Sequence, residues 1–403
     1  MSEYKVKTEK YNLIGGGLPY GCKVKGGKII PAFSLGKIDI ECPKNVRFAA
    51  YGHDTDRFFV IDGNTLYSAE EDGQFRTIMT AEAQQPFFAE YRLSYKLASK
   101  VVFDKKAVIY WGSDEIIHDI NQDICGGVYK NGRGFAIDLN DRYKLKWSGE
   151  DGIDDWIEQI DGSGWLYTDT ELGEIYNLVV VDGLLAVIKK YGVILISAYG
   201  DPEDFKEILT VSTPTVYQNT AVACGNKLYF YTVDGLYSLS EGGLEKVNVE
   251  FSEDLTSAVY ATVYGTTVFV AGTHKKLGKG VVFAYDTRDK ISYFIDLRAT
   301  ALAAGSCLYA YTENGSVKLE KGKTFTYESC EFGRLQKRKS TLKSVFVDCV
   351  TEVDITVETD SMRRVFKGVK GKLSPHICGC FFKVSVSGTS EDVKELSAEV
   401  EYY

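Results

Sequence analysis

Residues 181–197 read VDGLLAVIKKYGVILIS, and three later segments repeat the design: ACGNKLYFYTVDGLYSLS at 223–240, VYGTTVFVAGTHKKLGKGVVFAYD at 263–286 and AAGSCLYAYTENGSVKLE at 303–320. Each opens on a glycine turn, runs through an apolar strand, turns again and runs back. Short apolar runs bounded by Gly, Asn or Asp mark antiparallel hairpins covered on both faces. The leading glycines, Gly183, Gly225, Gly265 and Gly305, recur at about forty residues. A period of that length belongs to propellers and solenoids, whose units cannot bury their faces alone.

Looser copies precede these at 47–78, 100–120 and 133–150, each with alternating strands and turns such as Asp62-Gly63-Asn64 and Asn140-Asp141. Together they make roughly seven hairpin modules over 46–330, an all-β, six- or seven-bladed β-propeller. An open stack would leave two free sheet edges. The strand-like pieces of 1–45, KVKGGKIIPAF and KIDIEC, are therefore expected to pair with the last blade and seal the ring. From 331 the pattern changes to strict alternation in SVFVD, VDITVE, FFKVSVS and ELSAEVEYY, which reads as a small C-terminal antiparallel β unit over 331–403. Helices are expected only at 81–89 and at 202–209, with Asp201 as N-cap.

Composition supports this reading and narrows function. The 403 residues are 44% hydrophobic and 13% aromatic, enough for a large core without disulfide or metal staples. Gly 39, Tyr 27 and Phe 21 favour strands and tight turns over helices. Lys+Arg 47 against Asp+Glu 56 gives 47 − 56 = −9, so the broad basic field needed to hold nucleic acid is absent. The start, Met1-Ser2-Glu3-Tyr4-Lys5, has no secretory pattern, and synthesis and assembly in a cytoplasm are expected. The most apolar stretch, 176–199, contains Asp182, Lys189 and Lys190, which excludes a membrane span. Nine cysteines include no CxxC pair, and only Cys378 and Cys380, near His376, lie close together; structural thiols are expected, with no metal and no cofactor.

No constellation for catalysis stands out. The four histidines are His53, His118, His274 and His376, and neither GxSxG, HExxH nor a P-loop occurs. Acidic clusters at 54–56, 70–72 and 149–155 lack the spacing of a calcium loop and read as solvated turns. Trp147, Trp156 and Trp165 fall close together, with Trp111 apart; a buried cluster between blades is the commoner fate, a sugar platform the rarer. The basic run Arg334, Lys337, Arg338, Lys339 and Lys343 leads into a strand and is the candidate interface, suited to an acidic neighbour.

The stretch KLKWSGEDGIDDWIEQ (144–159), followed by GEIYNLVVVDGLLAVIKKYGVILISAYGDPEDF (173–205), resembles the propeller core of bacteriophage virion proteins. The matching residues are Trp147, Ser148, Asp155, Trp156, Gly173, Ile175, Asp182, Gly183 and Ile194. TVDGLYSLS at 232–240 is similar to the recurrent blade turn of that group, and 381–403, turning at Gly388, to its terminal strand pair. The resemblance implies a non-enzymatic ring component of a head-to-tail connector or tail nozzle in a tailed phage or prophage. Such a component forms a homo-oligomeric ring, usually six-fold, around a DNA channel, with portal, adaptor or tail proteins as partners. It binds no specific nucleic acid sequence, and an acidic conduit wall fits passage of DNA without sticking. Two rival readings are a propeller adhesin for glycans or a host surface, and a glycoside hydrolase with carboxylates converging on the axis.

Overall fold

The computed structural model describes residues 7–39, 43–53, 55–70, 74–80, 86–93, 96–103, 106–111, 114–120, 122–150, 156, 162–322, 324–334, 340–389 and 392–402. The chain is all-β there, apart from one turn of 3-10 helix at Pro202–Asp204. Most of it is a β-propeller. Antiparallel four-strand units occupy 46–80, 87–119, 124–167, 175–212, 222–246 and 255–295 in chain order. The three strands of 301–321 take their fourth, Phe33–Asp39, from near the N-terminus.

The hairpins form where the turn chemistry demands. Val181 pairs with Leu184 across Asp182-Gly183, and both loop residues take positive φ (48° and 73°), as a two-residue hairpin matched to strand twist requires. The strands that follow are covered on both faces. In Leu184–Lys189 every residue after the first is buried, and in Gly192–Ser197 every residue but the last. That explains continuous apolar runs where a one-sided sheet would alternate.

Successive units pack face to face. Phe135 and Ile137 join Leu185 and Val187 in one cluster, while Ala186 and Ile188, on the opposite face, join Leu228 and Phe230 in the next. Tyr229 and Tyr231 meet Val268 and Phe283, and Phe269 and Ala271 meet Leu308 and Ala310. The circuit returns to the first unit where Ala301, Ala303 and Tyr311 pack on Val46, Phe58 and Val60. Burying one such Val, Leu or Phe contributes about 1.5–3 kcal/mol, so the interfaces between sheets carry the stability that no hairpin has alone.

Both termini build a second body, a two-layer β-sandwich. One layer contains Lys7–Asn12, Cys22–Lys25, Lys28–Pro31, Ser340–Cys349, Gly371–Leu373, Ile377–Gly379 and Val393–Tyr402. The other contains Leu18–Tyr20, Phe325–Glu328, Lys383–Gly388, Val353–Glu358 and Arg363–Val369. Ile29, Leu342, Val345, Ile355, Val384 and Val400 fill the space between. The second layer is not separate from the propeller. Leu18–Tyr20 lies parallel to Ile291–Ile295, with Tyr20 opposite Phe294, and antiparallel to Phe325–Glu328, so one nine-stranded sheet runs from a blade into the sandwich.

Three details differ from the sequence reading. Of the N-terminal pieces, Phe33–Asp39 completes the last blade, whereas Cys22–Lys25 and Lys28–Pro31 pair into the sandwich; Ile40 to Cys42 lie outside the described residues. A helix over 202–209 does not form. Its start signal yields only the turn Pro202–Asp204, with no side-chain cap from Asp201, because Lys206–Ser212 is drawn into ladder pairing with Gly192–Ser197. The other helix candidate, 81–89, falls partly on 81–85, outside the described residues, and its end enters the strand Phe87–Leu93.

Candidate functional site

The first strands of the blades surround a cavity of about 620 Å³ on the axis. Backbone and small side chains such as Ala49, Gly126, Gly127 and Ala223 line much of it, with Arg47, Arg142, Asn177, Gln218, Asn219 and Tyr260 as its polar groups. Among the described residues that line it, two guanidiniums are the only charges. Arg47 Nε donates to the carbonyl of Gly63 at 3.0 Å, and burial lowers its pKa. Tyr260 Oη donates to Ala49 O at 2.7 Å, and burial pushes its pKa up to about 12. Two guanidiniums with side-chain amides in one lining suit an anionic or carbonyl-rich ligand.

Arg47 also borders a second hollow of about 500 Å³, formed by Asn45, Ser257, Thr273, Arg298 and Glu313 where strands enter the axis. Arg298 Nη2 stands 3.7 Å from Glu313 Oε1 there, both side chains largely exposed. Such a pair contributes little to stability and is available to a partner.

The tryptophans divide. Trp147 is buried, its Nε1 donating to Gly162 O at 2.9 Å and its ring 5.3 Å from Phe205; Trp156 is buried as well. Ser148, also buried, accepts from Gly134 N at 2.8 Å and donates to Gly149 O at 3.0 Å. Trp147 packs its own four-strand unit against the next one, 175–212. Trp165 is partly exposed on the outer strand Gly164–Tyr167, 5.2 Å from the exposed ring of Tyr167 and 3.9 Å from the ammonium of Lys144. Asp155 lies outside the described residues.

The basic run gives only two described side chains. Arg334 faces Glu331 at 3.4 Å, and Lys343 Nζ is 2.8 Å from Glu401 Oε2; Lys337, Arg338 and Lys339 lie outside the described residues. Gly183, Gly225, Gly265 and Gly305 all fall in the first hairpin turn of consecutive blades. Among the described residues no group of three or more His, Cys, Asp or Glu is arranged to hold a metal. Neither Arg47 nor Arg142 lies in a sequence motif: Arg47 stands among otherwise apolar inner-strand residues in VRFAAYG, whereas Arg142 follows the polar turn Asn140-Asp141.

No family profile and no curated protein matches the sequence. Solved structures do. A crystal structure of BBS1N in complex with ARL6DN is 11% identical, with a TM-score of 0.50 over 72% of this chain and 96% of that one. The WD40 domain of Neurospora crassa Pan2 is 9% identical, with a TM-score of 0.48 over 69% and 89%, and the N-terminal domain of Nup159 is 9% identical, with 0.43 over 77% and 95%. At such identity the first likeness shows the fold alone, a β-propeller.

Proposed function

We propose that this chain is a non-enzymatic scaffold that works by docking other proteins, and that it serves as a structural component of a tailed-phage or prophage virion. The observation that carries the scaffold reading is the nine-stranded sheet. Leu18–Tyr20 bridges blade and sandwich, pairing with Ile291–Ile295 at Tyr20 and Phe294 and with Phe325–Glu328 along its whole length. Such a body resists domain motion and transmits load, in contrast to enzymes that close around a substrate. The assignment to a virion comes from the Trp-Ser, Asp-Trp and Asp-Gly-Leu-Tyr patterns described above. We infer seven blades; the succession of four-strand groups around the circuit supports that number.

The test is composition and imaging of particles. Virions purified on a density gradient should contain this polypeptide at a fixed ratio to the portal, and averaged images of the protein should show seven spokes. Absence from washed particles would overturn the virion assignment. A second reading, a glycan-binding adhesin, has the exposed Trp165 and Tyr167 pair in its favour. A glycan bound by the native chain and lost in Trp165→Ala would favour it.

A further inference from the structure

The last strand of the nine-stranded sheet, Arg363–Val369, has a partner on one side only among the described residues, Val353–Glu358. Five of its first six residues are exposed, Phe366 alone being half-buried, so it overhangs the sandwich. Arg363, Arg364 and Lys367 point into solvent and take part in no ion pair among the described residues, and the flanking Met362 and Val365 are 41% and 55% exposed. No acid occurs from 361 to 373, although the whole chain carries −9. An unpaired backbone edge with cations and apolar side chains is a template for strand addition by an acidic, partly apolar strand.

The same chain carries such a strand. Asp114–Asp119 reads DEIIHD and is the outer edge of its blade, paired only with Lys106–Trp111 among the described residues. It brings three acids, one histidine and no Lys or Arg, and Ile116 and Ile117 are 43% and 47% exposed. The other outer strands are neutral or basic: Arg76–Thr80, Gly164–Tyr167, Lys206–Ser212, Gly243–Lys246 and Phe33–Asp39.

We propose that the Arg363–Val369 edge of one copy adds to the Asp114–Asp119 edge of a second copy, joining sheets head to tail. The cationic edge repels its own kind, which excludes the symmetric pairing and leaves the heterologous one. An interface between two different patches closes into a ring or runs on as a filament. The inference takes its biological setting from the scaffold reading but stands on its own geometry.

The test is light scattering and sedimentation of the full chain across concentration and salt. Association is expected at low ionic strength, weakening as salt screens the charges. Arg363→Glu with Arg364→Glu should weaken it about tenfold or more, and Asp114→Lys with Glu115→Lys likewise; the four changes together should restore it. Lys367→Glu, at an exposed position, serves as a milder variant should the pairs fail to fold. Amide exchange at 114–119 and 363–369 should slow on assembly. A wild-type chain that stays monomeric at every concentration and salt overturns the proposal, as does association that no charge reversal weakens or that the fourfold variant fails to recover. A monomer found in washed particles would sink this interface and leave the scaffold reading intact; a self-associating chain absent from particles would do the reverse.

Discussion

The ammonium of Lys189 lies 2.6 Å from Oγ1 of Thr168 and 2.6 Å from the carbonyl oxygen of Asp169, with the whole side chain buried and no carboxylate in contact. Burial pushes its pKa down to about 8. In the unfolded chain the amine keeps its proton to about 10.4. Between these values the unfolded state binds more protons, so stability contributed by this group rises with pH from about 8 and levels off near 10.4, by up to about 1.4 kcal/mol per pH unit. Below the window both states are charged and the cost of desolvation is fully present. Denaturant unfolding of the wild type and Lys189→Met at pH 7, 8.5 and 10 should show the wild type gaining on the variant at each step. A constant difference would count against a buried, depressed lysine.

Two repeat glycines should fail for opposite reasons. Gly265 has φ +61° and open space where a Cβ would stand, so Gly265→Val costs about 1–2 kcal/mol through backbone strain alone. Gly305 has no positive φ, but a Cβ there would stand 2.6 Å from the ring of Tyr51, which is itself packed on Phe58 at 4.7 Å. Gly305→Ala should cost about 1–3 kcal/mol by overpacking. The distinguishing measurement is rescue: Tyr51→Leu should recover part of the loss in Gly305→Ala and none of the loss in Gly265→Val. Equal behaviour of the two double variants would contradict this division.

These glycines also show what a sequence can reveal. Turn chemistry is local, so Asp182-Gly183 announces its hairpin wherever the chain goes, and the both-face burial of Leu184–Lys189 is visible as an unbroken apolar run. Partnership between distant strands is not local. Lys7 lies opposite Tyr402, and nothing in either neighbourhood specifies the other, so the N-terminal strands of the sandwich escaped notice while the alternation of its C-terminal strands did not. The stretch 202–209 misled because its acidic start signal is intrinsic, whereas the register of Lys206–Ser212 on Gly192–Ser197 is tertiary. On the axis, Arg47 and Arg142 carry no motif. Their significance comes from closure of the ring, which brings inner strands of different blades around one cavity.

At the seam between sandwich and propeller a glycine should admit no side chain. A Cβ on Gly17 would stand 2.3 Å from the carbonyl oxygen of Glu328 and 2.5 Å from the hydroxyl of Tyr327. That hydroxyl is fixed between Gly15 N at 2.8 Å and Leu13 O at 3.0 Å, so neither obstacle can move cheaply. Gly17→Ala is expected to destabilise the chain by about 1–3 kcal/mol and to raise exchange of the Leu18 and Tyr20 amides before any change on the axis. Exchange unaltered along Leu18–Tyr20 would mean that this strand is not the bridge between the bodies.

The same seam is held electrostatically, and its ion pair makes a separate test. Lys23, from the sandwich, bonds to Asp286 and stands 3.3 Å from Asp289, while Lys25 is 2.9 Å from Asp289; both acids belong to a blade. Burial opposes the charge of Asp286, but the hydrogen bonds from Lys23 and from the amides of Asp289 and Arg288 outweigh it and hold the carboxyl below its ordinary pKa. Stability from this acid is therefore present above pH about 4 and lost as pH falls through the lower folded value. Removing the cation leaves a largely buried carboxylate without its main partner, a loss of about 3 kcal/mol by comparison with other broken buried pairs. Lys23→Met should thus unfold the seam at lower denaturant, and Asp286→Asn in the same chain should recover most of the loss by removing the stranded charge. The wild type should melt in one transition, and the single variant in two, sandwich before propeller. One unchanged transition in Lys23→Met would show that the backbone ladder through Leu18–Tyr20 couples the two bodies without help from the charges.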